Sequence, residues 1–170
     1  MDKIKVLSDI SRRVNETMSE NPDMVWNSFL FGVCAALKCP AGSFFTANAE
    51  TRQLTLKFVY GEHSQEIRNL VIAYGSGVVG WTAEHQRSVI VNDADQDDRF
   101  EKIVDDSTGF HTKNILCVPA LSAGRLLGVI ELLNPQSGKF TEEDMELVGF
   151  LGVGISKLAG GSFLKTPQDG

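Results

Sequence analysis

A glycine-rich segment is the first candidate for chemistry in this chain of 170 residues. Gly75, Gly77 and Gly80 form the pattern G-x-G-x-x-G, which in dinucleotide-binding proteins lets the backbone approach a pyrophosphate. The next predicted strand begins near Ser88, so the intervening helix is too short for the crossover that joins parallel strands. We therefore interpret the glycines as a tight turn. The amide groups at the start of the following helix can still hold an anion.

Acidic residues suggest a cation site, but their spacing does not complete one. Asp93, Asp95 and Asp97 resemble the start of a calcium-binding loop. Asp98 stands where such a loop needs glycine, and Val104 stands where it needs the bidentate glutamate. We therefore predict a solvated acidic loop and no metal site here.

Cysteine and histidine give no catalytic pattern. The cysteines are Cys34, Cys39 and Cys117, and the histidines are His63, His85 and His111. The cysteine spacing matches neither a disulfide framework nor a zinc site. Cys117 lies inside an apolar strand, where a buried thiol is expected. No nucleophile is marked by a G-x-S-x-G elbow, so the histidines have no evident catalytic partner.

Composition and charge narrow the class of partner. The chain is 42% hydrophobic and 22% charged, with a net charge of −6, which is typical of a soluble globular domain. Its acidic balance argues against nucleic acid and against an anionic membrane surface, because both attract clustered Lys and Arg. The chain shows no signal peptide and no apolar run near the ~20 residues that span a bilayer. We expect a cytoplasmic protein with a small-molecule or protein partner.

Long helices are predicted at both ends of the chain. Residues 1–20 carry an apolar stripe of a kind that packs along another helix; its members are Ile4, Leu7, Val14 and Met18. Asn21 as N-cap and Pro22 begin a second helix, which ends before Pro40. The last helix begins after Thr141 as N-cap, with three acids in its first turn. Its stripe is Leu147, Val148, Leu151, Ile155 and Leu158.

Strands are predicted between these helices from apolar runs and alternation. They cover residues 43–47, 53–59, 70–74, 88–91, 114–121 and 126–133, and short helices are predicted over 81–85 and near 99–104. The pattern predicts one α+β domain over residues 1–160, with a mostly antiparallel sheet and long terminal helices on one face. Residues 161–170 are predicted to form a flexible tail or linker.

The most specific segment runs from Asp105 to Asn134. It contains DDSTGF, then NILCVPAL, then GRLLGVIELLN. This segment resembles the GAF domain family, particularly the cyclic-nucleotide-binding GAF domains of phosphodiesterases, and the resemblance spans roughly residues 20–158. It implies a six-stranded antiparallel sheet with terminal helices packed on one face. On the other face it implies a ligand pocket under short helices and loops.

The resemblance also implies ligand-binding residues. These are Ser43, Val78, Val79, Phe100, Asp105, Thr108, Thr112 and Glu131. In the relatives, the residues that match Asp105, Thr108 and Thr112 contact the purine or the cyclic phosphate, and the one that matches Glu131 faces the pocket. The backbone amides at the positions of Val78 and Val79 approach the phosphate.

The sequence departs from the family pattern at four positions. Tyr60 stands where relatives that bind cyclic GMP have Asp, and Glu101 replaces an aromatic residue. Pro135 replaces a Lys, so the ion pair that the family forms with the position of Asp144 is missing. Met145 replaces a Glu.

Taken together, these features predict a regulatory or sensory domain that binds a small ligand and transmits its state through terminal helices. The resemblance implies a cyclic nucleotide as ligand and a homodimer formed by those helices. The alternative is a ligand-free dimerisation or docking module with a closed pocket. Methionine sulfoxide reductases and tetrapyrrole sensors of this family use a pocket cysteine, and none lies between Pro40 and Leu116. We therefore predict no enzymatic activity and no haem.

Overall fold

The computed structural model describes residues 2–20, 24–62 and 67–163. The helices are α1 (Lys3–Glu20), α2 (Val25–Leu37), α3 (Gly77–His85), α4 (Ile103–Thr108) and α5 (Glu142–Phe163). The strands are β1 (Ala41–Asn48), β2 (Gln53–Tyr60), β3 (Val71–Ala73), β4 (Val89–Val91), β5 (Ile115–Ser122) and β6 (Arg125–Leu133). One 3-10 turn covers Ala94–Gln96.

Six strands form one sheet within the described residues, in the order β3-β2-β1-β6-β5-β4. Every neighbouring pair is antiparallel, which confirms the predicted α+β architecture. A tight hairpin joins β5 to β6 through Ala123 and Gly124, whose φ angles are +50° and +74°. Positive φ at both positions gives the turn a twist that matches the strands.

The central strand β6 shows how the sheet divides its two faces. Successive side chains of a strand point to opposite sides. Ile130 and Leu132 are buried against the helices, whereas Val129 and Leu133 pack on the other face. Glu131 lies between those two and shares their side of the strand. A carboxyl group therefore sits on the face away from the helical layer.

The helical layer is built by α2 and α5 on the sheet, with α1 packed mainly on α2. Trp26 of α2 stacks on Phe44 of β1 with 4.2 Å between ring centroids. Ile10 of α1 packs closely on α2, because a Cβ built on Gly32 would lie 2.9 Å from that side chain. Part of the apolar stripe predicted for α1 therefore packs against this same chain, since its Val14 is buried in the core.

Helix α5 begins with a reciprocal cap. The Thr141 hydroxyl accepts a hydrogen bond from the amide of Asp144 at 3.2 Å, and the Asp144 carboxylate accepts one from the amide of Thr141 at 2.9 Å. This confirms the predicted N-cap and gives Asp144 a partner in place of the missing lysine. The helix continues to Phe163, so residues 161–163 of the predicted tail or linker are helical.

Several predictions fall on parts of the chain outside the described residues. They are the cap by Asn21 and Pro22, the tail over residues 164–170, and the side chains of Leu7, Met18 and Leu158. The rest of the α5 stripe is buried in the core, as its Leu147, Val148, Leu151 and Ile155 show.

Asn134, at the end of β6, binds the loop before β5 and so holds that loop on the sheet. Its side-chain oxygen accepts hydrogen bonds from the amides of Lys113 at 2.8 Å and Asn114 at 3.0 Å. Its side-chain nitrogen donates to the carbonyl of His111 at 2.8 Å. Three backbone groups of one loop are thus held by one side chain, and we call this set of bonds the Asn134 clasp.

A second asparagine extends this fastening toward α5. The side chain of Asn92 donates to the carbonyl of Phe140 at 2.9 Å and accepts from the amide of Phe140 at 2.8 Å. Asn114 in turn donates to the carbonyl of Asn92 at 3.0 Å. The loop after β4, the start of β5 and the turn before α5 are therefore joined.

We predict that Asn134→Gly lowers the free energy of unfolding by about 2–3 kcal/mol, because three hydrogen bonds of about 1 kcal/mol each are lost. Glycine tolerates the φ of +51° at this position. Asn69→Gly is the matched control, since Asn69 is exposed and has a φ of +64°. Urea denaturation measures both variants, and equal destabilisation by the two would contradict a role for the clasp.

Candidate ligand-binding site

A cavity of about 790 Å³ lies on the sheet face opposite the helical layer. Its wall comes from the sheet, α3, α4 and the loops beside them. Small-molecule sites typically enclose about 300–1,000 Å³, so the space suits a ligand. All eight residues predicted for the site line it, namely Ser43, Val78, Val79, Phe100, Asp105, Thr108, Thr112 and Glu131. Their contact with a ligand stays a prediction.

The roof of the cavity is fixed by a contact between Asp105 of α4 and Thr112. One Asp105 oxygen accepts the Thr112 amide and the other accepts its hydroxyl, each at 2.7 Å. The Thr108 hydroxyl donates to the carbonyl of Val104 at 2.8 Å and accepts from the amide of Phe110 at 3.2 Å. These polar groups already have partners inside the protein, and their first effect is to hold α4 over the cavity.

The short helix that the sequence places near Arg99–Val104 is found at Ile103–Thr108 instead. The carboxylate of Asp97 accepts a hydrogen bond from the amide of Arg99 at 3.0 Å and binds its guanidinium at 2.8 and 2.6 Å. Such a local side-chain bond favours a turn over helix. The helix therefore starts later, and Phe100 is free to join the cavity wall.

Arg99 also fastens the rim of the cavity to α3. Its guanidinium lies 4.7 Å from the ring centroid of Trp81, and Trp81 stacks on His85 at 4.4 Å. The Asp97 carboxylate keeps the pKa of Arg99 above its usual value through a hydrogen bond. The loop before α4 is therefore joined to α3 by a charged group that stays protonated.

The glycine-rich segment forms a turn and then the first turn of α3. Gly75 and Gly77 have φ angles of +83° and +63°, and a Cβ on Gly80 would lie 2.5 Å from the carbonyl oxygen of Ala73. The helix begins at Gly77 rather than at the predicted Trp81. The interpretation as a tight turn is correct, and the last glycine is needed for close approach of backbone to backbone.

The start of α3 faces the cavity and is its electropositive end. Val78 and Val79 lie in the first turn, where amide groups have no partner within the helix. Ser76 donates a hydrogen bond to the Glu101 carboxylate at 3.0 Å, and both residues line the cavity. A negatively charged group of a ligand would meet the exposed Glu101 at this position.

Glu131 lies on the cavity face of the sheet, beside Ser43 of β1 and Cys117 of β5 in the strand register. The Cys117 sulfur is 4.0 Å from the Glu131 carboxylate. Burial raises the pKa of Glu131 to about 7, and the negative charge of Asp105 adds to this effect. Part of the Glu131 surface remains accessible, and that residue lines the cavity.

The cavity wall carries charge of one sign, negative, among the described residues. Its acidic members are Glu62, Glu101, Asp105 and Glu131, and none of the described lining residues is Lys, Arg or His. Carboxylates accept hydrogen bonds and do not donate them when ionised. The wall therefore complements the N–H groups of a ligand, with the α3 amides as donors at one end.

Apolar wall residues were missed by the sequence prediction. They include Phe45, Val59, Tyr60, Phe110, Ile115 and Leu133. Strand alternation could have predicted some of them. Phe45 and Ile115 are each adjacent in their strand to a residue that faces the helices, so their own side chains point to the cavity face. Tyr60, noted above as a departure from the family, also packs edge-on against Phe31 at 5.4 Å.

Comparison with known proteins agrees with this architecture. The sequence model of the GAF domain family matches residues 21–155 of this chain. This chain belongs to the GAF domain family. The dual 3',5'-cyclic-AMP and -GMP phosphodiesterase 11A of Takifugu rubripes is 37% identical over an alignment of 92 residues that covers 50% of this chain and 10% of that protein. The cGMP-specific 3',5'-cyclic phosphodiesterase of Drosophila melanogaster is 31% identical over an alignment of 112 residues that covers 62% of this chain and 10% of that protein.

The matches to these curated relatives cover about a tenth of the relatives' length. Solved GAF structures match far more of the domain. The GAF domain of a Coxiella burnetii phosphoenolpyruvate-protein phosphotransferase has a TM-score of 0.83 and 21% identity, covering 95% of each chain. The free methionine-R-sulfoxide reductase of Neisseria meningitidis has a TM-score of 0.77 and 20% identity, covering 94% of this chain and 89% of the reductase. At such identities these two structures establish the GAF fold alone.

Among the described residues, no helix has the length and apolar character needed to cross a membrane. No three or more His, Cys, Asp or Glu side chains in the same described ranges are grouped so that they could hold a metal ion.

We predict that Gly80→Ala destabilises this GAF domain by about 1–3 kcal/mol, because the added methyl group meets backbone that must move. Gly154→Ala in α5 is the control, since a Cβ there meets nothing within 4 Å. That substitution should stabilise the protein by about 0.5–1 kcal/mol. Thermal melts compare the two variants, and a Gly80 variant as stable as the wild type would show that the close approach is not required.

We predict that Glu131→Gln stabilises the domain more at alkaline than at acidic pH. The folded pKa near 7 exceeds the ordinary value of 4.5, so the folded state binds more protons between these values and stability falls as pH rises through this window. The variant should gain about 1–3 kcal/mol over the wild type near pH 8 and little near pH 5. Denaturation at both pH values measures the difference, and a gain that does not change with pH would contradict the assignment.

Proposed function

We propose that this GAF domain is a sensory module whose cavity binds a cyclic nucleotide. The observation that carries the proposal is the meeting, around one cavity, of all eight residues implied by the resemblance to cyclic-nucleotide-binding GAF domains. The names of the curated relatives, which are cyclic-nucleotide phosphodiesterases, support the same ligand class.

The chemistry of the wall suggests how such a ligand is held. Glu131 and Ser43 accept the N–H groups of the base, and Phe100 supplies an aromatic wall for its ring. The amides of Val78 and Val79 receive the cyclic phosphate, because a helix start favours an anion. The phosphate takes the place of the exposed Glu101 carboxylate, which in the unliganded protein accepts a hydrogen bond from Ser76. Asp105, bound to Thr112, acts mainly by holding the roof in place.

The alternative is a domain with a closed pocket. The described side chains leave about 790 Å³ unfilled, which supports the ligand-binding proposal over this alternative.

Signal transmission needs a ligand that favours one arrangement of the terminal helices over another. We propose that these helices form a homodimer in the cytoplasm. Exposed apolar side chains support an interface there, namely Ile4 on α1 with Phe150 and Val153 on α5. The predicted stripe residues of α5 are buried in the core instead, so the proposed interface uses a different side of that helix.

We propose that the domain acts by binding and not by catalysis. Burial raises the pKa of the Cys34 and Cys39 thiols, and burial likewise raises that of Cys117. The thiolate is the reactive form of cysteine, so these three groups are poor nucleophiles at neutral pH. None of them lines the cavity.

Isothermal titration with cyclic AMP and cyclic GMP tests the proposal. We expect at least one of them to bind, and Phe100→Ala to weaken its affinity about tenfold, because stacking of a base on an aromatic ring contributes about 1–3 kcal/mol. Met24→Ala is the control, since that exposed side chain precedes α2 and lies outside both the cavity wall and the proposed interface. Absence of heat and of any thermal shift with both nucleotides at millimolar concentration would refute the proposed ligand class.

A further inference from the structure

Glu131 stands apart from the other carboxyl groups of the cavity. Asp105 uses both of its oxygens on Thr112, and Glu101 binds Ser76 at the helix start. Glu131 has only the weak sulfur contact of Cys117 at 4.0 Å among the described residues. Its hydrogen-bonding capacity is therefore still available on the floor of the cavity.

The groups around Glu131 can be taken element by element. From β5 it faces Cys117, and from α4 the carboxylate of Asp105 acts on it. From β1, Ser43 stands opposite it in the strand register, and the residues of α3 that line the cavity carry no charge. Arg99 acts on Cys117. Burial and the Asp105 charge both favour the neutral acid, and the resulting pKa of about 7 lets both protonation states exist near neutral pH.

The two states of a carboxyl group present different hydrogen-bonding edges. The carboxylate offers two acceptors, whereas the carboxylic acid offers one donor beside one acceptor. Guanine has two adjacent N–H donors on its pairing edge and complements the carboxylate. Adenine has an amino donor beside a ring-nitrogen acceptor and complements the acid.

We propose that Glu131 selects the purine of a bound cyclic nucleotide by its own protonation state, taking adenine as the carboxylic acid and guanine as the carboxylate. This assignment rests on the proposed function and specifies which residue reads the base. No proton donor from a basic side chain is needed, which agrees with a described wall that contains none. The phosphate keeps one negative charge throughout the neutral range, so its contribution cancels when the two nucleotides are compared.

The test is the ratio of the two dissociation constants, Kd for cyclic AMP and Kd for cyclic GMP, at about pH 6 and about pH 8. In the wild type we expect the preference to move toward cyclic AMP at the lower pH by about tenfold, because a pair of hydrogen bonds to one base edge discriminates by at least this order. Titration near pH 7 in buffers of different ionisation enthalpy should show proton uptake with cyclic AMP and proton release with cyclic GMP.

Glu131→Gln fixes the donor–acceptor pattern at all pH values, because an amide always offers one donor and one acceptor. We expect this variant to show the same ratio of the two dissociation constants at both pH values and to bind both nucleotides without exchanging protons. Glu146→Gln changes an exposed carboxyl residue of α5 that lies outside the cavity wall and should keep the wild-type dependence on pH.

The possible failures are distinguishable. A wild-type ratio that is the same at both pH values, with measurable binding, overturns the role of Glu131 and leaves the proposed ligand class standing. A Glu131→Gln variant that keeps the pH-dependent ratio overturns it as well. Absence of binding by both nucleotides at both pH values overturns the ligand class together with this assignment. The wild-type ratio remains a test even if the variant fails to fold.

Discussion

The Asn134 clasp is the constraint on which the cavity depends. Three backbone groups of the loop before β5 are bound by this one side chain at the end of β6. The same loop contains Thr112, whose amide and hydroxyl hold Asp105. Asp105 belongs to α4, so the position of the roof follows, through two successive sets of hydrogen bonds, from the central strand. An insertion or a shift of register in this loop would move the roof as a unit.

The two faces of the sheet use the same alternation for opposite purposes. On one face, Ile130 and Leu132 complete a packed core with the helices. On the other face, the same strand has Glu131 at a position where an apolar residue would give a more stable protein. A polar group at a position where an apolar residue would give better stability is typical of functional sites. The face that carries the cavity is therefore the candidate functional face.

Much of the fold and of the cavity lining could be predicted from the sequence. Alternation located the strands, and the resemblance located the eight wall residues, because both are properties of neighbouring positions or of a matched segment. The start of α4 was misplaced because the bonds between Asp97 and Arg99 decide it. Two features could not be predicted: the hydrogen bonds that Asp105 accepts from Thr112, and the raised pKa of Glu131. Both result from contacts between separate elements.

The two tryptophans of the chain lie on opposite sides of the sheet. Trp26 is fully buried against Phe44 in the helical layer, whereas Trp81 lies under Arg99 at the rim of the cavity. Indole emission depends on polarity and on nearby quenching groups, so the two fluorophores report on different events. Emission from Trp81 is expected to follow movement of the loop that carries Arg99, and emission from Trp26 is expected to follow loss of the core. The native protein thus contains a pair of optical probes that can separate local movement beside α3 from unfolding without an attached label.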